Sequence, residues 1–206
     1  AIYKESKNND KATSENISYE EAIENHQKDY INPSNIILMV NPSAKREQSP
    51  DSNFSSFHHS NINDRHLRFL TMKTSTFWRN LYGSYVTDLF SDVVESVMDN
   101  LISAVKDDNK KDYRKQSYKK LIEQLEILSQ DSKEEKLNIY VCGALSKSKR
   151  KDFIFFIEEL IEEISENSDL NIELSFYAVY HPGYQNLKKL IQGGCEKIVK
   201  HSMKVE

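Results

Sequence analysis

The chain has 206 residues, 38% of them hydrophobic and 10% aromatic, enough for the core of one ordinary domain and too few for two full ones. Charged residues make up 29% and the net charge is −4, which excludes a protein that coats nucleic acid by bulk positive charge. Two cysteines, Cys142 and Cys195, exclude a disulfide framework, and no apolar run approaches the 18 residues of a membrane span. No signal-peptide pattern is present either, so the sequence predicts a soluble, cytoplasmic protein with no membrane partner.

Residues 1–16 are almost entirely polar and read as a frayed tail, leaving 17–206 as a single domain. Ser18, with Glu21 three residues on, has the capping-box pattern and predicts a helix to about Tyr30, stopping before Asn32-Pro33. Ile36 to Val40 is continuously apolar, as expected of a strand covered on both faces, and Asn41-Pro42-Ser43 ends it. The polar stretch 44–66 has no periodicity, and a stretch that long in a compact domain is functional or disordered. Phe77, Trp78 and Leu81 suggest a short helix. Ser84 to Leu89 reads as a strand, and Val93 to Val105 as a helix with apolar residues at helical spacing.

From Lys106 to Lys120 seven basic residues face three acidic ones. A second amphipathic helix carries Tyr118, Leu121, Ile122, Leu125 and Leu128. Leu137 to Cys142 is the third strand, closed by Gly143. The helix 151–165 sets Phe153, Phe156, Ile157 and Leu160 on one face and Glu158, Glu159, Glu162 and Glu163 on the other. Ile172 to Tyr180 is the fourth strand, ended by His181-Pro182-Gly183, and a short helix near Tyr184 to Ile191 closes the pattern. Alternating strands and helices predict a three-layer α/β/α sandwich around a mostly parallel four-stranded central sheet. Right-handed crossovers then bring all strand C-termini to one edge, where ligands bind in such sheets.

That edge receives Asn41-Pro42-Ser43, Thr87-Asp88, Cys142-Gly143 and His181-Pro182-Gly183. In this order on four successive strands, the motifs resemble those of the uracil-DNA glycosylase superfamily over roughly residues 34–192. The resemblance implies base flipping followed by hydrolysis of an N-glycosidic bond, without a cofactor or metal. It implies that Asn41 positions or activates water and that His181 stabilises the departing anionic base. Phe69, with Phe54 and Phe57 as rivals, would stack on the extruded base. Asp88 stands where the family reads uracil with an asparagine, and Ser43 stands near the base where the family often has glycine. An asparagine amide donates and accepts, whereas an ionised carboxylate only accepts, so Asp88 disfavours uracil and implies an altered base specificity.

Lys147, Lys149 and Arg150, just past the third strand, are the candidate phosphate contacts. DNA or another nucleobase-containing ligand, held weakly and salt-dependently, is therefore the expected partner. Each motif also has a plain structural explanation: Asn41-Pro42 as a strand terminator, Asp88 as a helix cap, His181-Pro182 as a turn. His58, His59 and His66 lack the Cys or carboxylate partners of a zinc site, so no metal is expected. The alternative to a base-releasing enzyme is a non-catalytic nucleotide- or nucleic-acid-binding protein that retains the fold.

Overall fold

A computed structural model describes residues 32–40, 67, 69–71, 74–93, 95, 97–131, 136–168, 170, 172–182 and 186–198. The expected tail, the helix after Ser18 and the stretch 44–66 lie outside these residues. In chain order the elements are β1 (Asn32–Met39), α1 (Thr76–Arg79), β2 (Ser84–Asp88), α2 (Met98–Lys106), α3 (Lys111–Asp131), β3 (Lys136–Cys142), α4 (Arg150–Asn167), β4 (Glu173–Val179), α5 (Leu187–Gln192) and β5 (Glu196–Lys197). A single 3-10 turn, Asp108–Lys110, joins α2 to α3.

The strands form one sheet in the order β2-β1-β3-β4-β5. The first four run parallel, as the alternating pattern predicts. The sheet also carries a fifth strand: the two-residue β5 lies antiparallel to β4, with the Ile198 amide donating to the Phe176 carbonyl at 2.9 Å. So short a segment has no period of its own to reveal it.

Period-two alternation sends successive side chains of each strand to opposite faces. Ile36, Leu38, Ile139, Val141, Phe176 and Ala178 join a core completed by α2, α3 and α4. Ile37, Met39, Val86, Cys142 and Val179 join a second core completed by Leu67, Leu70, Trp78 of α1 and Leu190 of α5. Two cores on two faces make three layers. Within this second layer the Trp78 indole donates to the Leu190 carbonyl at 2.6 Å, tying α1 to α5.

Three features differ from expectation. β1 begins at Asn32, before Pro33. The Asn32 amide donates to the Gly83 carbonyl at 2.9 Å, and a register irregularity between Asn32 and Ile36 accommodates the proline at the strand start. α2 begins at Met98 rather than Val93. The Leu89 and Phe90 amides first extend the ladder onto the Met39 and Val40 carbonyls, each at 2.8 Å, and the Glu95 carboxylate then accepts from the Val97 amide. With Val97 as the residue flanking α2, Asp88 is not its cap.

The acidic face of α4 is the third difference, because part of it meets α3 rather than water. Arg114 is 2% exposed and donates through Nε and Nη2 to both oxygens of Glu159, at 2.7 and 2.8 Å. Its Nη1 donates to the Val105 and Asp107 carbonyls, closing the C-terminal end of α2. The Tyr118 hydroxyl donates to Glu159 at 3.0 Å, and Glu163 pairs with Lys115. Burial alone would raise the Glu159 carboxyl, but the hydrogen bonds from Arg114 and Tyr118 outweigh it and hold the group below its ordinary value. Its contribution to stability is present above the ordinary carboxylate pKa and is lost as pH falls through the lowered value.

Removing one partner of this fork leaves a buried charge uncompensated. Arg114→Met is expected to destabilise the fold by about 3 kcal/mol in urea unfolding. Adding Glu159→Leu should recover part of that loss. A double variant as unstable as the sum of the two singles would show that the groups act independently.

Candidate functional site

Strand order decides where a site forms. From β1 the chain crosses to β2 on one side and later to β3 on the other, so the crevice between the C-terminal ends of β1 and β3 is the topological switch point. Val40 leaves β1 there and Asp88 ends β2, one strand away. Gly143 follows β3, and His181 lies two residues past β4 on the other side. The ends of β2 and β4 therefore put Asp88 and His181 on the same edge of the sheet. Asn41 and Ser43 lie outside the described residues, as do Phe54, Phe57, His58, His59 and His66.

Gly143 sets the geometry on the β3–β4 side. Its φ of 93° is one that L side chains rarely adopt, and its amide donates to the Val179 carbonyl at 2.9 Å. A Cβ built on it would lie 3.3 Å from the tip of the Phe153 ring and 3.9 Å from Cβ of His181. The turn after β3 is thus pressed between the first turns of α4 and the end of β4. Phe153 was legible in the sequence only as a core residue of its helix. Its place beside the site follows from the tight turn, which the scarcity of glycine hints at.

His181 is half-buried, and the loss of solvation lowers its pKa to about 4. At neutral pH the imidazole is uncharged, with one ring nitrogen donating and the other accepting. Cys142, fully buried next to Gly143, has its thiol pushed well up by burial and is not a nucleophile at neutral pH.

On the β2 side, the Thr87 hydroxyl donates to Gln124 of α3 at 2.7 Å. Alternation gives Asp88 the opposite face, which it shares with Val86 and hence with the layer containing Leu67 and Leu70. Asp88 is half-buried, with its Oδ1 enclosed. Phe69 stands between those two buried leucines and is itself 50% exposed, so its ring is available to stack on something outside the core. From β2 to β4 is three strand spacings, about 14 Å between backbones.

The basic candidates fare differently. Lys147 is exposed, but Lys149 is ion-paired with Asp99 and Arg150 with Glu196, which ties the start of α4 to α2 and to β5. Four of the seven basic residues of 106–120 are engaged likewise: Lys106 with Asp152 at 2.6 Å, Lys120 with Asp92 at 2.5 Å, and Arg114 and Lys115 with α4. The sequence shows the positive charges but not the carboxylates that fold against them. No group of three or more His, Cys, Asp or Glu suited to a metal occurs among the described residues, and none of their helices is long and apolar enough to cross a membrane.

The lowered His181 pKa has a definite consequence for stability. Between pH 6.5 and about 4 the unfolded chain protonates this histidine while the folded chain does not. Stability therefore falls as pH drops through that window, by roughly 3 kcal/mol for this group, and is flat above it. His181→Asn should remove this component from urea-unfolding curves taken at pH 7, 5.5 and 4.5. An unchanged pH slope in the variant would show that His181 is already protonated in the folded state.

No family model matches the chain, and no curated protein or solved structure matches it significantly.

Proposed function

We propose that this chain is a uracil-DNA-glycosylase-like domain that binds a flipped nucleobase at the strand-end edge and hydrolyses its N-glycosidic bond. The observation that carries this reading is a neutral His181 packed beside the Gly143 turn, at the switch-point edge that also receives Asp88. In such a hydrolysis the bond from C1′ to the base nitrogen breaks and its electron pair leaves with the base. Water supplies the oxygen that joins C1′, giving up a proton to solvent, and the released base takes one up. Negative charge thus develops on the base only as the bond breaks.

A neutral imidazole N–H aimed at a base oxygen meets that charge without having carried a positive charge into a half-buried site. Asn41, next in the chain to Val40, is the residue that the sequence resemblance assigns to the water. Phe69 offers an exposed ring to replace the stacking a flipped base loses.

The engagement of Lys149 and Arg150 in ion pairs favours a second reading, in which the site holds a nucleobase-containing ligand without cleaving it. Paired cations make poor clamps for a phosphate backbone, and a ligand smaller than duplex DNA needs fewer of them.

Single-turnover release of free base from single-stranded oligonucleotides, each carrying one test base, separates these readings. The wild type should release a base. His181→Asn should slow release by about 10²–10³-fold while oligonucleotide binding changes only a few-fold, as expected for a donor used in the transition state. Binding without release supports the second reading. Neither binding nor release would contradict both.

A further inference from the structure

We infer that α2 is a charge-latched flap: exposed ion pairs hold it against α3 and α4, salt releases them, and the segment hinges about a buried clamp at its C-terminal end. The latch does not depend on what the strand-end edge binds.

Few apolar contacts hold this helix. Of its nine residues Leu101 and Val105 are buried, and Met98 and Ile102 pack partly against the same core. Val97, which stands at its N-cap, has no side chain able to cap it. A helix of this length is marginal in water on its own. Charge supplies much of what remains. Asp92 ahead of α2 pairs with Lys120 of α3 at 2.5 Å. Asp99 in its first turn pairs with Lys149, the residue before α4, and Lys106 in its last turn pairs with Asp152 at 2.6 Å. Asp99 and Lys106 each lie at the end of α2 that the helix dipole favours for their sign.

The two ends are held differently. At the C-terminal end Arg114, 2% exposed, donates to the Val105 and Asp107 carbonyls. Asp107 leaves the helical conformation there, with a ψ of 135°, so the clamp coincides with a break in the helix. At the N-terminal end Asp99 is 73% exposed, and salt reaches its pair directly. Upstream the chain is fixed at Phe90, whose amide donates to the Val40 carbonyl. Raising salt from 0.1 to 1 M shortens the screening length from about 10 to about 3 Å, which weakens exposed pairs and leaves a buried fork such as Arg114–Glu159 much less affected. Salt therefore loosens the flap before the clamp. Lys149 and Asp152 flank the start of α4, beside the Phe153 that packs against the Gly143 turn, so the latch links the ionic surroundings to the strand-end edge.

The test is amide hydrogen exchange on the full chain at pH 7, in 0.1 M and 1 M NaCl. The amides of Leu101 to Val105 should exchange faster at 1 M, while those of Leu121 and Leu125 in α3 and Leu160 in α4 keep their rates. At 0.1 M, Asp99→Asn, nearly isosteric and on the surface, should speed the α2 amides by about 1.5- to 5-fold, the range for one exposed pair, and reduce their response to salt. Lys149→Met should act alike, and the double variant should open no more than either single. Exchange of the α2 amides at the α3 rate in both salts would show that α2 opens only with the whole fold and would overturn the flap. A salt response that Asp99→Asn leaves intact would overturn the latch.

Discussion

A parallel strand with neighbours on both sides needs both of its faces kept from water, because crossover connections return over the sheet and bury them. β1 carries that requirement for the whole molecule. It pairs with β2 on one side and β3 on the other, and Ile36, Ile37, Leu38 and Met39 are at most 5% exposed. Burying such side chains contributes about 1.5–3 kcal/mol each. Helices must then cover both faces, and parallel pairing sends the ends of β1 to β4 to a single edge. The candidate site is a by-product of how β1 is buried.

The two covering layers differ in kind. On one face α3 and α4, of 21 and 18 residues, are joined by the Arg114–Glu159 fork and tied to α2. On the other, α1 and α5 have four and six residues and depend on tertiary contacts such as the Trp78–Leu190 hydrogen bond. The candidate edge lies between these two layers. α4 holds Phe153 against the Gly143 turn, while the other layer presents the exposed Phe69, Leu187 and Ile191.

The fold was legible in the sequence wherever burial leaves a period. The apolar run of β1, the alternation entering β4 and the helical spacing of Phe153, Phe156, Ile157 and Leu160 each reflect a face that must be dry. Where contacts are long-range and polar, the sequence carries no such trace. Glu159 looks like a solvated residue until α3 brings Arg114 to it across 45 positions. Lys149 and Arg150 look like free cations until Asp99 and Glu196 arrive. Asn32-Pro33 reads as the stop of a preceding helix, yet β1 already begins there, because a strand start needs no ladder donor at the proline. The shared edge of Asp88 and His181 was readable because strand ends are local features and parallel topology gathers them. The neutrality of His181 was not, since it depends on how much solvent the finished fold leaves around the ring.

The central claim is that a nucleobase sits at this edge, between the ends of β2 and β4. It is tested most directly by titrating guanosine and uridine in turn into isotopically labelled protein and following backbone amide chemical shifts. The account predicts shifts concentrated at Asp88 to Phe90, Gly143 to Leu145, and Tyr180 and His181, with the interior of α3 unmoved. Shifts scattered over the surface, or confined to the opposite edge around Lys136 and Glu173, would contradict it.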